Sequence, residues 1–263
     1  MTLLITAMTA DKVVQASDRR LTWTDGRVYS DNANKAVCVQ CRDARFTVAY
    51  TGLAHVGRVP SDEWLLDCLL AMSAFDMPVR MIVDNLKRNL TTAFSKKTQT
   101  TFVMAGFINA GHFPSLCRIL RKIVFGPLRM PKNSFVSDVL ILRRCAQAGH
   151  ALLIQGAQQS VTRSILWEIK GVIRSRYLQR STCEQIAGRL VSLIRKAADG
   201  QSRMHRTIGQ DCMTTTMSLT QSGAFDAKYH PLGEASAIYA PHLLVPPGIA
   251  FKGIECGSSI FKY

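Results

Sequence analysis

The feature that most constrains this chain is the way its first fifty-two residues double back twice. TLLITAMTA (residues 2–10) and KVVQASDRR (residues 12–20) are short runs rich in β-branched and small apolar residues, joined at Ala10-Asp11. NKAVCVQC and RFTVAYTG repeat the arrangement around Arg42-Asp43. Runs this short with such tight connections predict four strands of an antiparallel sheet. Between the second and third runs, Asp25-Gly26 supplies a turn.

The apolar period then changes. Ser61-Asp62-Glu63 has the signature of a helix start, with a capping side chain and two acids at the positive end of the dipole. Trp64, Leu65, Cys68, Leu69 and Met72 follow at helical spacing. Pro78 opens a second helix with Met81, Ile82, Leu86 and Leu90 on one stripe. TTFVMAGF and LCRILRKIVFG predict a strand and its hairpin partner, and ALLIQG a short strand ending in glycine. A helix is expected from about Gln159 to Leu178. Ser181-Thr182-Cys183-Glu184 then fits a capping box, with Ser181 as cap and Ile186, Ala187, Leu190, Val191 and Ile194 on the buried face. CMTTTMSL is a further strand, and the four prolines after residue 229 predict an irregular tail. Strands and helix pairs alternate in two batches, and each apolar sheet face needs a cover. The expected architecture is α+β: a four-layer αββα sandwich of two antiparallel sheets flanked by helix pairs.

Composition removes several functional classes. With 47% hydrophobic residues in 263, the chain has material for one sizeable core or two small ones. The longest charge-free stretch, Thr98 to Cys117, holds too many polar residues to span a bilayer, so no membrane association is expected. The N-terminus lacks the head, apolar centre and cleavage site of a secretory signal. Eight cysteines without regular spacing fit reduced thiols in a cytoplasmic protein. Cys38 and Cys41 form one CxxC, but a structural zinc site needs four ligands, so neither metal nor other cofactor is expected.

The net charge of +15 is uneven: residues 118–206 hold seventeen Lys or Arg against Asp138, Glu168, Glu184 and Asp199. Such a basic segment attracts anionic partners, nucleic acid included. No helix-turn-helix spacing, zinc finger or aromatic platform accompanies it, and solvated helix faces account for it equally well, so nucleic acid is not favoured.

The residues with chemistry begin at position 2. Methionine is ordinarily trimmed before a small residue, which would leave Thr2 as the first residue. A threonine there carries its own base, because its free α-amine, with a reference pKa of about 8, lies beside its hydroxyl. Asp18 lies sixteen residues on and Arg20 eighteen, at the far end of an out-and-back hairpin that returns them to the chain start. Lys35 opens the next strand; an ammonium near the hydroxyl favours its alkoxide, and a carboxylate keeps that lysine charged and oriented. Gly52, closing AYTG, offers an unhindered N–H for an oxyanion. In isolation Asp18 and Lys35 would be a surface ion pair of small worth.

These residues resemble the proteasome β-subunit type of N-terminal nucleophile hydrolase, in a divergent bacterial-type form. That family has a V-x-A-x-D-x-R strand end at a set distance from its threonine, and VVQASDRR stands at that distance from Thr2. Lys35 falls at its lysine with one residue of slack, and Gly52 at its oxyanion glycine. Arg20, rather than Arg19, keeps the family's arginine spacing. Residues 2–228 correspond to the family's domain, with an insertion around 120–150, and 229–263 form a C-terminal extension. The resemblance implies a threonine-type peptidase or amide hydrolase in a self-compartmentalising homo-oligomeric ring. Its catalytic residues would be Thr2, Asp18, Lys35, Gly52 and Arg20, its substrate a peptide or amide, and any ATP-dependent unfoldase is unknown.

Two departures stand out. Ala157 replaces the serine that helps orient the α-amine, and the acid accompanying it does not align: His205 or Thr207 falls nearer its place, with Asp211 displaced. They keep open a catalytically weak or inactive scaffold on the same fold, or a basic binder of an anionic partner. An arginine-rich later helix pair further predicts a single ring or an unusual assembly, since like charges repel across an interface.

Overall fold

The first hairpin forms where the apolar alternation places it. In a computed structural model of the chain, strand β1 spans Leu3–Thr9 and β2 Lys12–Asp18, antiparallel, with Leu4 opposite Ser17 and Met8 opposite Val13. The structure describes residues 2–22, 27–52, 54–93, 100–108, 117–125, 136–139, 150–157, 161–174, 176–201, 207–219, 225–233 and 240–251. The chain divides into two compact units, Met1–Asn34 with Leu142–Ala240 and Glu255–Tyr263, and Lys35–Ile141 with Pro241–Ile254. The expected Asp25-Gly26 turn, His205 and most of the segment 120–150 lie outside the described residues.

In the first unit, β1 and β2 are two of the three inner strands of an antiparallel five-stranded sheet. Its order is β12 (His150–Gly156), β1, β2, β13 (Cys212–Ser218) and β14 (Asp226–His230). A two-stranded ribbon, β3 (Leu21–Thr22) with β4 (Val28–Ser30), follows β2. Helices α3 (Arg163–Arg174), α4 (Tyr177–Arg180) and α5 (Cys183–Asp199) complete the unit. Alternate residues of β1, namely Leu3, Ile5 and Ala7, pack with Ile165 and Ile169 of α3 and with Ile186, Leu190 and Ile194 of α5.

Two local expectations shift here. The helix expected over 159–178 is split, because Arg176 turns left-handed at φ 55° and starts α4 afresh. The capping box is one residue later than expected: Thr182 Oγ1 accepts from Gln185 N–H, while Gln185 Oε1 accepts from Thr182 N–H. Ser181 is occupied ending α4, its N–H donating to Tyr177 O, so the next residue caps α5.

The second unit holds a seven-stranded sheet ordered β11, β10, β9, β6, β5, β15, β16. Its members are β5 (Ala36–Gln40), β6 (Ala44–Thr51), β9 (Thr100–Ile108), β10 (Cys117–Phe125), β11 (Val136–Val139), β15 (His242–Val245) and β16 (Ile249–Phe251). A small ribbon, β7 (His55–Val56) with β8 (Val59–Pro60), leads into α1 (Ser61–Ala71) and then α2 (Val79–Ala93). Leu65, Leu66 and Leu69 of α1 and Ile82, Val83, Leu86 and Leu90 of α2 pack with Phe46, Val48, Phe102 and Met104. Met81, expected on that stripe, is 50% exposed, and Val79 and Val83 take the buried side.

The four strands expected over residues 2–52 therefore do not share a sheet: two became β1–β2 of one and two β5–β6 of the other. Both edges of the β1–β2 hairpin are taken, by β12 and β13, which leaves no place for a third sequential strand. Within the tail expected to be irregular, the described residues include two strands, β15 and β16. β15 lies parallel to β5, pairing His242 with Val37 and Leu244 with Val39, and β16 returns antiparallel, so the second sheet is mixed. Among the described residues no helix is long and apolar enough to cross a membrane.

Candidate functional site

Thr2 is buried at the entrance to β1, and the peptide group that joins it to Leu3 is bonded at both its oxygen and its N–H. Its carbonyl accepts from Ala157 N–H at 2.9 Å, just past the end of β12. The N–H of the same peptide group, that of Leu3, donates to Asp18 Oδ1 at 2.8 Å. The register that sets Leu4 opposite Ser17 brings the last residue of β2 back to the first residue of β1. Asp18 is itself fully buried, and its Oδ2 accepts from Arg20 N–H at 3.0 Å and from Gly209 N–H at 3.1 Å. Three backbone donors thus satisfy one carboxylate. Gly209 must be a glycine for this approach, since a Cβ there would meet Arg20 Cβ at 2.9 Å.

Consecutive arginines follow Asp18 and do different work. Arg20 forks onto the Asp31 carboxylate, Nε to Oδ1 at 2.6 Å and Nη2 to Oδ2 at 3.0 Å, and that pairing raises its pKa. Arg19 is buried completely. Its Nη2 donates to Asn32 O at 2.7 Å and its Nε to Ala33 O at 3.3 Å, while the guanidinium lies 4.7 Å over the Tyr229 ring. The family spacing points to Arg20 alone, and no spacing signal marks Arg19; only the fold reveals it.

Lys35 and Gly52 belong to the second unit. Lys35 is 1% exposed, and its carbonyl accepts from Tyr50 N–H at 3.1 Å as β5 begins. Gly52 follows β6 with φ 114°, a conformation that side-chain-bearing residues avoid. In the same unit His242 Nε2–H donates to Asp62 Oδ2 at 3.1 Å, tying β15 to the first turn of α1. Burial, with the Asp62 charge second, raises the Tyr50 hydroxyl well above its ordinary value.

Of the three candidates for the missing acid, His205 lies outside the described residues and the other two are otherwise engaged. Asp211 accepts from Tyr229 OH at 3.1 Å and from Leu232 N–H at 2.8 Å, and Thr207 Oγ1 accepts from Gln201 Nε2. Ala157 offers a main-chain donor and no hydroxyl. The CxxC thiols are buried; burial pushes Cys38 up and Cys41 up to about 11, which keeps both protonated at neutral pH. No group of three or more His, Cys, Asp or Glu that could hold a metal occurs among the described residues.

Elsewhere in the first unit, α5, β13 and β14 enclose a cavity of about 290 Å³ lined by Glu184, Thr214, Thr216, Asp226, Lys228 and His230. Burial, then Lys228 and Arg195, lowers the His230 pKa to about 4, and its Nε2 lies 2.9 Å from Thr214 Oγ1.

No protein-family model matches this chain, and no curated protein does. Solved structures do resemble it. A helical assembly of the Anbu complex from Pseudomonas aeruginosa superposes with a TM-score of 0.56 at 12% identity, over 89% of this chain and 88% of that one. An Anbu Gly-1 mutant from Hyphomicrobium sp. strain MC1 gives 0.50 at 14% identity, over 83% and 82%. HslV from Trypanosoma brucei gives 0.44 at 12% identity, over 82% and 99%. The chain has the proteasome-like N-terminal nucleophile fold expected from VVQASDRR and its neighbours.

Proposed function

We propose that this chain is a threonine-type amide hydrolase, a peptidase working in a homo-oligomeric ring, with Thr2 as nucleophile once Met1 is removed. The observation that carries this is the double grip on the peptide group between Thr2 and Leu3: Ala157 N–H on its carbonyl and the Asp18 carboxylate on its N–H. A nucleophile must be held to a fraction of an ångström, and bonds made by rigid strand ends supply that better than a loop. We further propose the four-layer αββα sandwich that the alternation of strands and helix pairs along the sequence implies.

In this mechanism the α-amine of Thr2 takes the hydroxyl proton as Oγ1 attacks the substrate carbonyl carbon. Lys35 holds a positive charge beside the oxygen and so lowers its pKa, and Asp18 keeps the lysine oriented. The Gly52 N–H receives the oxyanion, and Arg20 braces the end of β2. Collapse expels the amine, which takes the proton, and water then hydrolyses the ester left on Thr2. No cofactor is required.

The second reading is a scaffold on the same fold that turns nothing over. Ala157 favours it, because the hydroxyl that would orient the α-amine is missing. A β-lactone or epoxyketone probe decides between them. The hydrolase forms a covalent adduct on Thr2, mapped by mass spectrometry with Thr2→Ala as the blank. A native protein that retains Met1, or one that takes no adduct at Thr2, refutes the hydrolase.

A further inference from the structure

Arg19 is the largest fully buried side chain of the described residues, and two of its guanidinium nitrogens reach successive carbonyls of one short segment. Its Nη2 donates to Asn32 O and its Nε to Ala33 O, while its own carbonyl accepts from Ala33 N–H at 3.1 Å. Its N–H donates to Asp211 O at 2.9 Å. The Tyr229 ring under the guanidinium is fixed in turn, with its hydroxyl donating to Asp211 Oδ2. Two residues after Ala33 the chain reaches Lys35.

We propose that Arg19 is a positioning residue for Lys35, setting where residues 32–33 deliver that lysine to the proposed Thr2 chemistry. The proposal rests on the hydrolase reading above. Lys35 lies just before β5, where Tyr50 N–H holds its carbonyl, and the residues before it set the approach to its Cα from the other direction. A guanidinium is the group suited to this work. Its planar fork takes two successive carbonyls at once and keeps a flat face for an aromatic ring, which an ammonium on a flexible stem cannot reproduce. Arg20 acts one residue earlier by holding Asp31, so the pair grips residues 31, 32 and 33 in order.

The test uses the full chain and the rate at which a β-lactone labels Thr2, measured from pH 5 to 9 for wild type, Arg19→Lys, Arg19→Met and Tyr229→Leu. Displacing a cation from the α-amine raises the pKa of that amine. Arg19→Lys and Arg19→Met are expected to slow labelling about 10- to 100-fold, in line with an ångström-scale misplacement, and to move the acid limb of the profile to higher pH. Tyr229→Leu, which removes only the platform, is expected to shift the limb in the same direction by less. A purely structural loss would reduce the labelled fraction and leave the limb in place. If wild type labels at Thr2 and the variants keep its rate and profile, the Arg19 assignment is wrong while the hydrolase stands. If wild type takes no label, both fall. Should the Arg19 variants fail to fold, Tyr229→Leu decides alone: an unmoved limb overturns the proposal.

Discussion

Replacing Asp18 by Asn tests the centre of the proposed site without changing its size. The carboxylate accepts three backbone N–H groups, from Leu3 at 2.8 Å on Oδ1 and from Arg20 and Gly209 at 3.0 and 3.1 Å on Oδ2. An amide has one acceptor oxygen. Its better orientation keeps Arg20 and Gly209 and turns an NH₂ toward the Leu3 N–H. Losing one hydrogen bond to a charged group costs about 1.5–3 kcal/mol, and a buried N–H left without an acceptor adds about 1–3 kcal/mol. The expected loss is therefore about 2.5–6 kcal/mol, a large share of the roughly 5–15 kcal/mol that stabilises a typical domain. Urea unfolding reads this as a lower midpoint at unchanged slope. Hydrogen exchange at the Leu3 amide should accelerate in parallel, since that is the group left unpaired. A loss below about 1 kcal/mol, or unchanged protection at Leu3, would show that Asp18 does not hold the start of β1, and the grip on Thr2 would be lost as an argument.

The same reasoning reaches two sites away from Thr2. Asp62→Ala leaves the buried His242 Nε2–H without its acceptor and should cost about 1–3 kcal/mol, read by urea unfolding. For His230, the unfolded ring takes up a proton near its ordinary 6.5 and the folded one only near 4, so stability should fall as pH drops through that window. His230→Gln should flatten the loss.

How far the fold was legible depended on whether a local period or a distant partner set each element. The β1–β2 hairpin and the buried face of α5 follow from spacing, and both form where the apolar residues put them. Asp18 was legible because a strand end has a position that counting can fix. β15 was not: four residues between prolines carry too little pattern, and they become a strand only by lying parallel to β5, two hundred residues earlier. The Met81 stripe failed for a nearer reason. Two stripes fit α2 almost equally, and the one carrying Val79 and Val83 meets the core. Arg19 was invisible because a buried arginine is defined by the carbonyls around it, and none of those lies at a fixed offset in sequence.

Ala157 bears on what the missing hydroxyl costs the proposed site. A serine there would contribute in two separable ways, through its side chain and through its main chain. The main-chain part survives, because β12 pairs with β1 from His150 opposite Thr9 to Gly156 opposite Leu3, and the next N–H then meets the Thr2 carbonyl. Asp18 follows the same logic, being held by three main-chain donors. A site framed by backbone loses side-chain contacts without losing its geometry, since strand pairing is set by the whole sheet. In the proposed chemistry the substitution therefore removes one partner of the α-amine while Thr2 stays in place. The expected consequence is an enzyme slowed at proton transfer, with its nucleophile still reachable by a probe that needs only correct placement.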